Sequence, residues 1–116
     1  MSNEAVDSIL GIGVDIVDIA RCIEKLQQRP QLADSVCAPG ETPPKSAAAF
    51  ARRWAVKEAV IKCCPTAVFA REVLVTHTDL GAVQACVTSK GYENSVFEVS
   101  VSDDAGVAVA VCLRLR

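Results

Sequence analysis

The strongest helical pattern in the sequence runs from about Ser46 to Cys64 and constrains the fold more than any other segment. Pro65 closes it, because proline cannot continue a helix. On a helical wheel, four apolar side chains form a stripe within about 60° of arc. These residues are Ala47, Phe50, Trp54 and Ile61. Such a helix must pack its apolar stripe against another layer of secondary structure.

The N-terminal part of the chain predicts a strand followed by a second helix. Residues 9–17 form an apolar run typical of a buried strand, in which Gly11 and Gly13 allow close backbone approach. Asp18 follows and is a good N-cap for a helix that Pro30 bounds. The Pro-rich stretch 31–45 is predicted to be a flexible loop.

The C-terminal half predicts two hairpins. Their strands are residues 72–76, 82–88, 95–102 and 107–115. Residues 77–81 have turn chemistry, and so do Asp103, Asp104, Ala105 and Gly106, so both acids are predicted to be turn residues. The order strand, helix, helix, hairpins predicts one α+β domain over residues 1–116, with an antiparallel sheet against the long helix.

Composition excludes several classes of protein. At 116 residues, with 51% hydrophobic residues, the chain can bury the core of one globular domain. A net charge of -2 argues against nucleic-acid binding through bulk charge, and no apolar stretch is long enough to span a membrane. Six cysteines without a C-x-x-C pair, beside a single histidine, favour reduced thiols over disulfides or zinc, as expected of a cytoplasmic protein.

Two segments place charged residues where chemistry could occur. In the first, Asp15 ends the N-terminal strand and Arg21 lies on the next helix. In the second, residues 50–62, Glu58 stands among four cations. Each has a simpler explanation when taken alone. Asp15 could start a turn or cap a helix, the cations could form a solvated face, and Glu58 with Lys62 could be a surface ion pair worth about 0.5 kcal/mol or less.

Together, the two segments resemble the signature motifs of a known family. Gly13-x-Asp15 is followed six residues later by Arg21, and residues 50–62 read Phe-x-x-Arg-Trp-x-x-Lys-Glu-Ala-x-x-Lys. In this order and at this separation they resemble the holo-acyl-carrier-protein synthases, the short single-domain phosphopantetheinyl transferases. The resemblance covers residues 9–64 well and the C-terminal half loosely.

The resemblance implies a fold of the 4'-phosphopantetheinyl transferase type and a Mg²⁺-dependent reaction. Phosphopantetheine would pass from coenzyme A to a serine of an apo acyl carrier protein, as in fatty acid biosynthesis, and 3',5'-ADP would be released. Asp15 and Glu58 would bind Mg²⁺, and Glu58 would accept the serine proton. Lys62 would hold a phosphate oxygen, as Arg53 and Lys57 would on the same helix. Arg21 would meet acidic residues of the carrier protein, and a homotrimer is implied.

The sequence also departs from the family pattern. Asp103 stands where a histidine that helps to hold coenzyme A is expected, and residues 63–67 replace a glycine-bearing loop. An acidic Thr-x-x-Glu-Leu stretch is not recognisable between Leu32 and Pro44, and a helix before the last hairpin is absent from the pattern. These departures motivate an alternative, a non-catalytic relative that serves as a partner subunit or regulatory binder.

Overall fold

A five-stranded antiparallel sheet and one long helix form the framework of the computed structural model, which describes residues 8–116. The strand order is β1-β5-β4-β3-β2. In chain order the elements are β1 (Ile9–Asp18), α1 (Ile19–Gln28), α2 (Leu32–Ser35), α3 (Ala47–Lys62), a 3₁₀ turn (Ala70–Glu72), β2 (Val73–His77), β3 (Val83–Val87), β4 (Val96–Asp104) and β5 (Val107–Leu115). The predicted α+β class, with a sheet against a long helix, is confirmed.

Helix α3 packs across β1 and β5, but on a different face from the one predicted. The closest face consists of Ala51, Ala55 and Ala59, each 0% exposed. In the predicted stripe Phe50 is buried, whereas Ala47, Trp54 and Ile61 are only half-buried. Small side chains let the helix axis approach the sheet, so the alanines, and not the largest residues, mark the core face.

Two glycines of β1 allow that close approach. A Cβ atom on Gly13 would lie 2.0 Å from the carbonyl oxygen of Ala59, and one on Gly11 would lie 2.5 Å from that of Cys63. Both distances are far below van der Waals contact, so the backbones of β1 and α3 touch directly. This contact fixes the position of Asp15 relative to the second half of α3.

The junction between β1 and α1 follows the prediction. The Asp18 carboxylate accepts hydrogen bonds from the backbone N–H groups of Ala20 and Arg21, at 2.9 and 3.4 Å, and so caps α1. The stretch predicted to be a flexible loop is more ordered than expected. It contains the one-turn helix α2, and Glu41 within it is buried in contacts with the core.

The last hairpin corrects the prediction for Asp103 and Asp104. Both residues belong to β4, where they pair with Ala108 and Val107, and the turn consists of Ala105 and Gly106 alone. These two residues have φ angles of 51° and 82°, as a tight two-residue hairpin turn requires. Among the described residues, no helix has the length and apolar character needed to cross a membrane.

Candidate active site between strand β1 and helix α3

Asp15 and Lys62 meet where β1 runs along the last turn of α3. The Lys62 ammonium donates a hydrogen bond to Oδ1 of Asp15 at 2.8 Å and another to the backbone oxygen of Val14 at 3.1 Å. The Asp15 side chain is 15% exposed and that of Lys62 is 52% exposed. The hydrogen bond to Asp15 raises the pKa of Lys62, so the ammonium stays charged.

Glu58 lies one turn before Lys62 and faces the same carboxylate. Burial raises the pKa of Glu58, the negative charge on Asp15 raises it further, and Lys62 opposes both effects. Asp15 and Glu58 are therefore close enough to repel each other. The structure brings together the two acids that the sequence singled out, which lie 43 positions apart in the chain.

The two acids open into a groove of about 680 Å³ between α1 and α3. Phe50 and Trp54 supply apolar surface within it, with ring centroids 6.2 Å apart and an interplanar angle of 11°. Three cations spaced four residues apart also line the groove, two on α1 and one directly after it. They are Arg21, Lys25 and Arg29. The groove is thus lined by acidic, apolar and cationic side chains together.

Lys57, predicted to hold phosphate, has a different role in the structure. Its side chain is 0% exposed, and its ammonium donates three hydrogen bonds. The acceptors are Oε1 of Glu41 at 2.8 Å, the backbone oxygen of Ala70 at 3.0 Å and that of Val73 at 2.7 Å. An ammonium has three N–H donors, so Lys57 has none left for a phosphate. The prediction for Lys57 is corrected: it is a buried structural residue.

Glu41, its partner, is the residue that the sequence analysis missed. Besides Lys57, its carboxylate accepts hydrogen bonds from the backbone N–H of Ala38 at 2.9 Å and of Val75 at 2.6 Å. The available signal was that Glu41 is the single acid between residues 36 and 45. Arg53 holds the same segment, because its Nη1 donates to the backbone oxygen of Thr42.

Asp103, the acid at the expected histidine position, pairs with Arg52. The distance from Nη1 of Arg52 to Oδ1 of Asp103 is 3.1 Å, and the two side chains are 41% and 35% exposed. An ion pair this exposed stabilises the fold little. It does place a cation beside Asp103, which offsets the repulsion that an isolated carboxylate would exert on a phosphate.

The chain matches known proteins along nearly its whole length. A family model described as the 4'-phosphopantetheinyl transferase superfamily matches residues 11–112. A holo-[acyl-carrier-protein] synthase of Kocuria rhizophila is 36% identical over 114 residues, covering 88% of this chain and 89% of that protein.

Solved structures share the fold. A holo-ACP-synthase from Plasmodium yoelii has a TM-score of 0.80 at 20% identity, covering 96% of this chain and 98% of that one. An ACPS–CoA complex from Chronobacterium ammoniagenes has a TM-score of 0.73 at 25% identity, covering 95% and 97%. The resemblance inferred from the two motifs is confirmed. The chain belongs to the holo-acyl-carrier-protein synthase family of the 4'-phosphopantetheinyl transferase superfamily, and it is a transferase.

Proposed function

We propose that this enzyme transfers 4'-phosphopantetheine from coenzyme A to a serine of an apo acyl carrier protein, with Mg²⁺ as cofactor and 3',5'-ADP as product. The observation that carries the proposal is the juxtaposition of Asp15 and Glu58 at one end of a groove, with Lys62 beside them. Family membership supports the reaction class.

The donor set suits Mg²⁺ with a phosphate-bearing substrate. Among residues 8–116, no group of three or more His, Cys, Asp and Glu side chains could hold a metal ion alone. Mg²⁺, however, is commonly bound by one or two carboxylates, with water and substrate phosphate completing the octahedron. The charge on Asp15 raises the pKa of Glu58, and the Lys62 ammonium opposes this effect, which supports the proposal that a cation binds here. When bound, Mg²⁺ would neutralise charge on the pyrophosphate of coenzyme A.

The chain's own residues account for the remaining steps. The serine oxygen bonds to the phosphorus that carries pantetheine, and the bond from that phosphorus to the bridging oxygen breaks, which releases 3',5'-ADP. Glu58, with its raised pKa, is suited to accept the serine proton directly or through water. Lys62 is exposed enough to reach a phosphate oxygen, and Arg53 retains further N–H donors for the nucleotide phosphates. Lys57 takes no part in this proposal.

The carrier protein would dock on the groove beside α1. The cations Arg21, Lys25 and Arg29 line it together with the apolar Trp54 and Phe50. This combination complements an acidic helix with apolar anchors. Docking there would bring the carrier's serine to the end of the groove that holds Asp15 and Glu58.

We further propose that the enzyme is a cytoplasmic homotrimer. The exposed apolar residues on the outer face of the sheet support self-association. The apolar residues of β1 and β5 that point away from α3 are between 39% and 68% exposed. They are Ile12, Val14, Ile16, Val109 and Val111. Val14 pairs with Val111 and Ile16 with Val109, so the residues form one continuous patch of the kind that protein interfaces cover.

The test is a mass-spectrometric assay of holo carrier protein with coenzyme A and Mg²⁺. We expect Asp15→Asn and Glu58→Gln to lower the rate by about 10²-fold or more, the range for loss of a general base or an essential electrostatic group. The matched control is Asp34→Asn, an exposed acid of α2 outside the groove, which should retain the wild-type rate. Equal rates for all four proteins, or an inert wild type on several carriers, would overturn the proposal.

A further inference from the structure

Lys62 contacts one of the two oxygens of Asp15, the carboxylate proposed to bind the metal ion. Its ammonium lies 2.8 Å from Oδ1 of Asp15 and also donates to the backbone oxygen of Val14. Both acceptors belong to β1, whereas Lys62 itself is on α3, so the ammonium joins the two elements that carry the acids. A monovalent cation therefore already partly neutralises the acidic end of the groove.

The surroundings of Lys62 allow it to leave. Its side chain is 52% exposed, and its hydrogen bonds to Asp15 and Val14 both go to β1. The Asp15 carboxylate is only 15% exposed, so a second cation reaching Oδ1 must compete for limited space. A divalent ion and an ammonium at one carboxylate repel each other, so a bound metal ion would weaken the contact between Lys62 and Asp15.

We propose that Lys62 is an exchangeable counter-ion: it occupies Asp15 in the metal-free enzyme and is displaced toward the substrate phosphates when a divalent cation binds. The inference rests on the proposed function and deepens it, since it assigns Lys62 two successive partners. The long flexible stem of lysine permits such a change of partner without any movement of the backbone. Displacement by the metal ion then leaves the Lys62 ammonium available to contact a phosphate oxygen of the substrate.

The first experiment measures Mn²⁺ binding by electron paramagnetic resonance, with Mn²⁺ alone as the probe and no coenzyme A. If Lys62 competes with the metal, Lys62→Met should bind Mn²⁺ about three- to tenfold more tightly than wild type, the size of effect expected from removing a competing, largely exposed cation. Lys90→Met is the matched control, because Lys90 is an exposed lysine outside the groove, and its affinity should equal that of wild type.

The second experiment measures whether the Lys62 amine becomes more reactive when the metal ion binds. Acetylation of Lys62 by a limiting reagent is followed by peptide mass spectrometry with and without Mn²⁺, and Lys90 serves as the internal reference. Release from Asp15 should raise the Lys62 acetylation rate several-fold, while the rate at Lys90 stays constant. An unchanged or lower Lys62 rate in saturating Mn²⁺ would overturn the inference, and so would a Lys62→Met affinity equal to or weaker than wild type.

Failure of the proposed function gives a different result. If wild type binds no Mn²⁺, or if Asp15→Asn binds it as tightly as wild type, the metal site itself is wrong. If wild type binds Mn²⁺ and Asp15→Asn does not, the site stands, and the two Lys62 measurements alone decide whether the lysine is exchanged.

Discussion

Lys57 and Lys62 lie five residues apart on α3, and each pairs with one carboxylate at 2.8 Å, yet their surroundings are opposite. The Lys57 and Glu41 side chains are 0% and 1% exposed, whereas those of Lys62 and Asp15 are 52% and 15% exposed. Both lysines belong to the same sequence motif. The difference indicates that Lys57 supports the fold, whereas Lys62 is accessible enough for its proposed role in the site.

The buried pair is a closed network. Lys57 uses all three donors, and the Glu41 carboxylate accepts two backbone N–H groups besides the ammonium. Complete hydrogen bonding offsets the desolvation of two charges, and it ties the segment around Glu41 to α3 and β2. The pair at Asp15 leaves its lysine largely in solvent, so exchange of partners there costs little.

The largest expected effect therefore comes from breaking the buried pair. Lys57→Met leaves the Glu41 charge buried without its counter-ion and should lower the free energy of unfolding by about 3–5 kcal/mol. Lys62→Met should lower it by about 1 kcal/mol, because about half of the Lys62 side chain is in solvent. Urea denaturation of the metal-free variants measures both values.

A double variant sharpens this result. Glu41→Gln combined with Lys57→Met removes both buried charges but keeps a side-chain oxygen as acceptor for a backbone N–H of Ala38 or Val75, so it should recover part of the stability lost in Lys57→Met. If Lys57→Met were no more destabilising than Lys62→Met, the two pairs would be equivalent, and the distinction between a structural and a functional lysine would fail.

A middle-sized effect is expected where β1 touches α3. Gly13→Ala places a methyl group 2.0 Å from the Ala59 carbonyl oxygen, so strand and helix must move apart. Overpacking of this kind costs about 1–3 kcal/mol or more. It should also weaken Mn²⁺ binding, because Asp15 and Glu58 are carried by the two separated elements. A variant with wild-type stability and affinity would show that this contact does not set the site's geometry. Thr76→Ala, at an exposed position of β2, is the control for a change in strand side-chain size.

The sequence predicted the parts that depend on local pattern. The β1 strand, the Asp18 cap and the boundaries of α3 follow from short-range signals. The family resemblance singled out Asp15 and Glu58, which line the same groove in the structure. The burial of Lys57 could not be predicted in this way, because its partner Glu41 is 16 residues away in a Pro-rich segment with no periodic pattern. A helical wheel assigns a charged residue to solvent unless a partner is known.

The wrong helix face and the wrong turn have similar causes. The helical wheel assigned the large residues Trp54 and Ile61 to the buried face. In the structure, the close contact at Gly13 places Ala55 and Ala59 on that face instead. The turn was placed at two acids by composition, although the strand register runs through Asp103 and Asp104 to a two-residue turn. In both cases tertiary contacts outweighed residue preference.

The smallest expected effect concerns the two carboxylates themselves. Burial and the Asp15 charge raise the pKa of Glu58 above its ordinary value of 4.5, while Lys62 opposes them. For an acid whose pKa is higher in the folded than in the unfolded chain, the stabilising contribution is complete below pH 4.5 and is lost as the pH rises through the folded-state value. Ionised Glu58 therefore destabilises the metal-free protein near neutral pH.

Glu58→Gln should consequently be slightly more stable than wild type near neutral pH in the presence of EDTA, and its advantage should shrink as the pH falls toward 4.5. Urea denaturation across this range measures the difference, with Glu24→Gln, at an exposed acid of α1, as the control variant. A variant less stable than wild type near neutral pH would mean that Glu58 stabilises the fold, as Glu41 does. The expected gain would instead mean that Glu58 lowers the stability of the metal-free protein. Such a cost is typical of residues that serve a binding site and not the fold.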